Sequence, residues 1–92
     1  TTDKIIITHG TDTMIETARV IAARDIGKVI VLTGASKPEN MKDTDADVNL
    51  GFALGAGQSL PHTGVYIAMS GEIFPWDTCE KREDGTFVSI VS

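Results

Sequence analysis

Short apolar runs alternate along this chain with longer segments, and this alternation constrains the fold more than any other feature. Residues 4–8, 28–33 and 65–69 are rich in β-branched residues and show no polar alternation, which is typical of strands covered on both faces. The order β-α-β-α-β predicts a parallel sheet with right-handed crossovers. We therefore predict an α/β fold with a three-layer, mostly parallel sheet of Rossmann-like order.

The first segment between strands has the signals of an amphipathic helix over residues 13–25. Thr13 and Glu16 fit the capping-box pattern, and Gly27 is a suitable stop. The spacing of the apolar residues predicts one buried face, formed by Met14, Ala18, Ile21 and Ala22.

The second such segment predicts another helix, capped by Asp45 and ending near Gly55 and Gly57. Its shared apolar face is predicted from Ala46, Leu50, Ala53 and Leu54. Beyond the third strand, residues 74–84 have an irregular composition, and residues 86–91 predict a short strand.

Composition and charge exclude several classes of protein. Of the 92 residues, 41% are hydrophobic and 23% charged, which is ordinary for one small globular domain. The net charge of −5 offers no basic face for phosphates, so we expect no direct nucleic-acid partner. The apolar runs are too short to cross a bilayer, so no transmembrane helix is expected.

Three further expectations concern location, completeness and assembly. A single cysteine, Cys79, cannot form an intrachain disulfide, which fits the cytoplasm. The chain opens at Thr1 without an initiator Met or a signal peptide, so we expect an N-terminal portion to be absent. A βαβαβ unit of this size leaves sheet edges and helix faces that need cover, which favours a homo-oligomer.

Ligands of parallel α/β sheets bind beyond the carboxyl ends of the strands. Three loops, residues 9–13, 33–36 and 70–72, should meet there, and all are rich in small or hydroxyl residues. A small polar ligand is the natural inference.

The first of these loops stacks a hydroxyl, a carboxylate and a second hydroxyl at the start of a helix. Thr11, Asp12 and Thr13 support two interpretations: N-capping of the helix alone, or a functional site. We expect His9 to shape the strand-to-helix corner rather than to act as a base.

The residues of these loops resemble one known family, the threonine-dependent L-asparaginases. Residues 7–14, ITHGTDTM, are similar to the family's second active-site signature, and residues 31–38, VLTGASKP, to its next strand and loop. Asp45 and Asn49-Leu50 resemble residues that open the following helix, and residues 64–69 resemble the strand after it. Nearly the whole chain is covered in collinear order.

The resemblance implies roles for individual residues. Thr11 matches the second catalytic threonine, Asp12 the aspartate that grips the substrate, and Lys81, twelve residues beyond Met69, the catalytic lysine. In the implied relay the ammonium and Asp12 polarise the Thr11 hydroxyl, or a water it holds. Gly10, Thr11 and Asp12 would bind substrate, and the carbonyl of Ala35 would touch its side-chain amide.

The activity implied is hydrolysis of L-asparagine to L-aspartate and ammonia, without cofactor or metal. The 92 residues lack the family's nucleophilic Thr-Gly-Gly-Thr-Ile segment, so we expect this chain alone, residues 1–92 of a partial N-terminal domain, to be weak or inert. Two alternatives stay open: a non-catalytic amino-acid-binding remnant, and the asparaginase-like subunit of a tRNA-dependent amidotransferase. Lys81 also has an alternative, because it lies in a charged run that is typical of a solvated surface.

Overall fold

A computed structural model describes residues 3–35 and 46–91 of the chain. The elements follow one another in the order β1 Lys4–Thr8, α1 Met14–Ala23, β2 Val29–Thr33, α2 Ala46–Gly57, β3 Gly64–Met69, β4 Glu72–Pro75, a 3-10 helix Trp76–Thr78, β5 Cys79–Lys81 and β6 Phe87–Ser89. The predicted α/β class and the β-α-β-α-β order of the first five elements are confirmed.

The main sheet has four strands in the order β1-β2-β3-β4, with β1 at one edge. The first three strands are parallel, and Thr8, Thr33 and Ala68 are aligned across them. The carboxyl ends of these strands therefore lie level, which brings the loops that follow β1 and β2 side by side. β4 is antiparallel to β3.

The two helices cover opposite faces of this sheet, so the three-layer prediction is also confirmed. On one face Met14 and Ala18 of α1, both fully buried, pack with Ile30 and Leu32 of β2. On the other face Ala53 of α2 packs with the alternate residues Val29 and Val31. Every residue of β2 is buried, which explains the unbroken apolar run at residues 29–32.

The start and end of α1 differ from the prediction. The buried face of α1 forms as predicted, but the helix ends at Ala23, and Asp25 has a left-handed φ of 47°. The capping box is wrong because the Thr13 side chain makes no capping hydrogen bond. The φ and ψ of Thr13, −116° and 13°, lie outside the extended conformation in which a capping hydroxyl reaches the first turn.

The predicted face of α2 is also wrong in part. Ala53 is fully buried, but Leu50 and Leu54 are 36% and 49% exposed, and Asn49 and Gly57 face inward instead. Small or apolar residues occur on all sides of α2, so the sequence pattern cannot indicate which face is buried. The end near Gly57 is confirmed, whereas the predicted Asp45 cap and the Ala46 side chain lie outside the described part.

The interpretation of residues 74–84 as irregular is wrong. A two-residue turn with positive φ at Ser70 (56°) and Gly71 (76°) joins β3 to β4, as tight hairpin turns require. The 3-10 helix then leads to β5, which pairs with β6 in a separate two-stranded sheet. These strands have only three or four residues, too few for a periodicity to appear in the sequence. The predicted strand within 86–91 is confirmed as the shorter β6.

Candidate active site

The loop after β1 is held in place by His9. Its backbone N–H donates to the carbonyl of Thr33, 2.8 Å away, which ties the loop to the end of β2. Its ring Nδ1 lies 2.6 Å from the carbonyl of Gly10, and Nε2 lies 2.9 Å from Oγ1 of Thr17. A carbonyl can only accept, so Nδ1 carries a proton and donates to Gly10, while Nε2 pairs with the Thr17 hydroxyl. His9 therefore shapes this strand-to-helix corner, as we expected from the sequence.

Lys81 enters the same corner from β5, 70 residues beyond Thr11 along the chain. Its Nζ donates to Oγ1 of Thr11 at 2.8 Å and to Oδ1 of Asp12 at 2.6 Å. The Lys81 side chain is 24% exposed and that of Asp12 is 94% exposed. The structure therefore brings together the three residues for which the family resemblance implies catalytic roles.

The ammonium group changes the charge balance of this cluster. The hydrogen bond from Lys81, and secondarily its positive charge, hold the pKa of Asp12 below its ordinary value, against a small opposing effect of burial. Asp12 is therefore a carboxylate at neutral pH. Because the ammonium donates to Oγ1 of Thr11, it withdraws electron density from that hydroxyl, whose own proton is left to be donated elsewhere.

The loop after β2 lies against the first loop. A Cβ placed on Gly34 would lie 2.1 Å from the carbonyl oxygen of His9, so only glycine fits there. The buried Asn49 of α2 donates from Nδ2 to the carbonyl of Gly34 at 2.8 Å. The half-buried Ala35 follows on this loop. Neither Ala35 nor Gly10 is among the Lys81 hydrogen-bond partners found in the described part of the chain.

Among the described residues, the third loop hydrogen-bonds to the β5–β6 hairpin and not to Thr11, Asp12 or Lys81. Ser70 instead accepts a hydrogen bond at Oγ from the backbone N–H of Phe87, 3.0 Å away. Phe87 is the cross-strand partner of Lys81. Sequence reasoning had not assigned Ser70 or Asn49 to specific contacts. The Ser-Gly pair does indicate a turn, but nothing in the sequence indicates its partner.

The Cys79 thiol and a separate cavity are weaker candidates for an active site than this cluster. Burial, and then the charge of Asp77, raise the pKa of Cys79 to about 11, so its thiol is a poor nucleophile at neutral pH. A cavity of about 260 Å³ lies at the amino ends of the parallel strands, where Lys28 and Gly64 lead into β2 and β3. Thr11, Asp12 and Lys81 do not line it. Lys81 instead lines a shallow depression over residues 80–84.

Neither a metal-binding cluster nor a membrane-spanning helix occurs among the described residues. Over residues 3–35 and 46–91, no three or more His, Cys, Asp or Glu side chains are grouped so that they could hold a metal ion. Within the same ranges, no helix is long and apolar enough to cross a membrane.

Known proteins resemble this chain in both sequence and structure. A probable periplasmic L-asparaginase of Haemophilus influenzae is 39% identical over 75 residues, covering 78% of this chain and 22% of that protein. A glutamyl-tRNA(Gln) amidotransferase subunit of Methanococcus vannielii is 41% identical over 70 residues, covering 75% of this chain and 16% of that protein. The chain thus spans about a fifth of the length of these curated relatives.

A crystal structure described as a probable cytoplasmic L-asparaginase from Campylobacter jejuni superposes with a TM-score of 0.82 at 31% identity. The match covers 95% of this chain and 29% of that one. The family profile described as Asparaginase, N-terminal matches residues 1–90. The resemblance that the sequence motifs indicated is confirmed: the chain belongs to the asparaginase family and matches its N-terminal domain.

Proposed function

We propose that this chain, as part of an N-terminal domain, supplies Thr11, Asp12 and Lys81 to an active site that hydrolyses L-asparagine to L-aspartate and ammonia. The observation that carries the proposal is the position of one ammonium group within hydrogen-bond distance of both the hydroxyl and the carboxylate. Family membership makes amide hydrolysis the expected reaction class.

Amide hydrolysis needs a proton for the departing nitrogen and a base for the attacking group. Thr11 is suited to the first task, because the hydrogen bond from Lys81 polarises its hydroxyl and favours proton donation. As Thr11 gives its proton to the leaving ammonia, Lys81 passes one to Oγ1. In the same step Lys81 takes a proton from the attacking group, so that the proton lost from the attacking group equals the one gained by ammonia and the ammonium of Lys81 is kept.

The attacking group is not assigned to these 92 residues, because they contain no Thr-Gly-Gly-Thr segment. In this proposal a nucleophilic threonine from outside these residues completes the reaction. This chain accordingly contributes the proton-transfer half of the site and should be weak or inert alone.

Asp12 is the proposed contact for the α-ammonium group of the substrate. Lys81 binds Oδ1, while the side chain remains 94% exposed, so an incoming cation can reach the carboxylate. Its lowered pKa keeps it charged throughout the neutral range. Gly10 and the carbonyl of Ala35 border the same corner as proposed backbone contacts, the latter for the substrate amide.

The amidotransferase alternative is supported by the similarity to the Methanococcus protein. In that function the same residues would release ammonia for a partner protein rather than into solution. Ammonia release from free asparagine, measured with purified protein and no partner, distinguishes the two functions. A rate that appears only when a partner is added favours the amidotransferase function.

The experiment uses the full-length protein and an ammonia-release assay with asparagine and glutamine as separate substrates. Thr11→Val, Asp12→Asn and Lys81→Met should each lower kcat/KM by about 10²-fold or more. Thr63→Val and Asp3→Asn, which change exposed side chains outside the cluster, are matched controls and should retain the parent rate. Full activity in Lys81→Met would refute the relay.

A non-catalytic remnant makes a different prediction. In that case calorimetry should detect aspartate binding that is lost in Asp12→Ala, while no variant or parent protein releases ammonia. Binding that is unchanged in Asp12→Ala would remove Asp12 from the site in either function.

We also propose that the protein is a cytoplasmic homo-oligomer. The support is the resemblance to the Campylobacter structure described as cytoplasmic and the β1 edge of the sheet. The Haemophilus relative is described as periplasmic, so cell fractionation is the appropriate test of location. Light scattering of the full-length protein tests the assembly, and a monomeric mass would refute it.

A further inference from the structure

The strand that carries Lys81 belongs to a very small sheet. β5 and β6 have three residues each and pair only with one another in the described part of the chain. A two-stranded hairpin of this length is not stable in water by itself. The position of the Lys81 ammonium therefore depends on what attaches this hairpin to the main sheet.

Phe87 is one such attachment. It lies directly opposite Lys81 in the hairpin, and its side chain is 2% exposed within the core that also contains Met14 of α1. The backbone N–H of Phe87 points towards the end of β3, where Oγ of Ser70 accepts it at 3.0 Å. Ser70 thus contacts the residue that is paired with Lys81.

The backbone at Ser70 is unusual for a serine. Its φ of 56° lies in the left-handed region, where glycine and asparagine are much more common. The turn alone would be satisfied by glycine, as at the neighbouring Gly71 with φ 76°. Glycine would, however, offer no side-chain acceptor to Phe87. The serine therefore accepts a strained backbone conformation at a position from which its hydroxyl reaches the hairpin.

We propose that Ser70 is a positioning residue: by accepting the Phe87 N–H, its hydroxyl fixes the β5–β6 hairpin on the end of β3 and holds the Lys81 ammonium against Thr11 and Asp12. The positioning follows from the hydrogen bonds and the register alone. Only its value for hydrolysis rests on the proposed function.

The test measures the Asp12 carboxyl directly, by ¹³C NMR titration of the full-length protein. Lys81 lowers the pKa of Asp12, so this carboxyl reports how closely the ammonium is held. Ser70→Gly keeps the left-handed turn and removes the acceptor, and it should raise the pKa of Asp12 towards its ordinary value. It should also speed hydrogen exchange of the Phe87 amide by about tenfold, the effect of losing one hydrogen bond.

Ser70→Asn separates the hydroxyl from the turn. Asparagine tolerates the left-handed conformation and offers a side-chain oxygen, so the titration of Asp12 and the exchange of Phe87 should stay near the parent values. The matched control is Ser59→Ala, which removes a serine hydroxyl that donates to the carbonyl of Ala56 at the end of α2, away from the cluster. This control should leave Asp12 unchanged.

Three results would overturn the proposal: an unchanged Asp12 titration in Ser70→Gly, an equal shift in Ser70→Gly and Ser70→Asn, or the same shift in Ser59→Ala. A fourth contradicting result, a raised pKa of Asp12 in Ser70→Asn, can be obtained even if Ser70→Gly does not fold. In the ammonia assay Ser70→Gly should lower kcat more than it raises KM, with recovery in Ser70→Asn. If no form releases ammonia, the proposed function fails. The Asp12 titration then still tests whether Ser70 positions Lys81.

Discussion

Replacing Gly34 by alanine should destabilise the protein, because two loops approach each other closely at this residue. The new Cβ would lie 2.1 Å from the carbonyl oxygen of His9 and 3.2 Å from Cε of Met14. The Met14 terminus can rotate away, but the backbone oxygen can move only with its loop. That movement would stretch the bond from His9 N–H to the carbonyl of Thr33, which is 2.8 Å long in the parent.

The expected cost follows from these contacts. Overpacking against rigid neighbours costs about 1 to 3 kcal/mol, and a weakened backbone hydrogen bond adds about 1 kcal/mol. The lower entropy of an unfolded chain with alanine offsets about 0.4 to 1 kcal/mol. We expect a net loss of about 1 to 3.5 kcal/mol in the free energy of unfolding.

Urea unfolding followed by circular dichroism measures this loss, provided that the slope against urea concentration is unchanged. Gly51→Ala is the matched control, because nothing lies within 4 Å of its added Cβ inside α2. It should stabilise the protein by about 0.5 to 1 kcal/mol through helix propensity. Equal midpoints for Gly34→Ala and the parent, or equal shifts for the two alanine variants, would refute the close approach of the loops.

Three further predictions follow from the same structure. Lys81→Met should raise the pKa of Asp12 towards 3.8, measured by NMR titration, and an unshifted carboxyl would contradict the contact. In the parent protein the ion pair stabilises the fold above pH 3.8, and this stabilisation is lost as the pH falls through the lowered pKa of the folded state. Leu32→Ala, at a fully buried position, should lower the free energy of unfolding by about 2 to 5 kcal/mol in urea, and a loss below about 1 kcal/mol would contradict its burial. Cys79 should resist iodoacetamide in the folded protein at a pH of about 8, and rapid alkylation of the folded chain would contradict its raised pKa. The stability of the fold should also fall as the pH rises from 9.0 towards 11, because the thiol ionises at lower pH in the unfolded chain than in the folded one.

The parallel part of the fold could be predicted from the sequence because burial on both faces leaves a clear signature. The three apolar runs became β1, β2 and β3, and Met14 and Ala18 form the buried stripe of α1. In α2 the same reasoning failed for Leu50 and Leu54, since a helix that is apolar or small on all sides has no preferred face.

The place of Lys81 in the candidate site could be predicted only through the family resemblance. Physical reasoning placed Thr11 and Asp12 at the carboxyl edge of the sheet, but it favoured a solvated surface for Lys81. Its contact with Thr11 joins positions 70 residues apart through β5, a strand too short to be recognised before the fold is known. The supporting bonds of Ser70 and Asn49 are equally non-local.

The position of β1 at the edge of the sheet has a geometric consequence for any strand that joins it. Its register with β2 begins at Lys4 and ends at Thr8, and its side chains are only half covered along most of that length. An additional strand that paired in parallel with the open side of β1 would end beside Thr8, one short loop from Thr11 and Asp12. Side chains at the end of such a strand would therefore lie near the ammonium, hydroxyl and carboxylate.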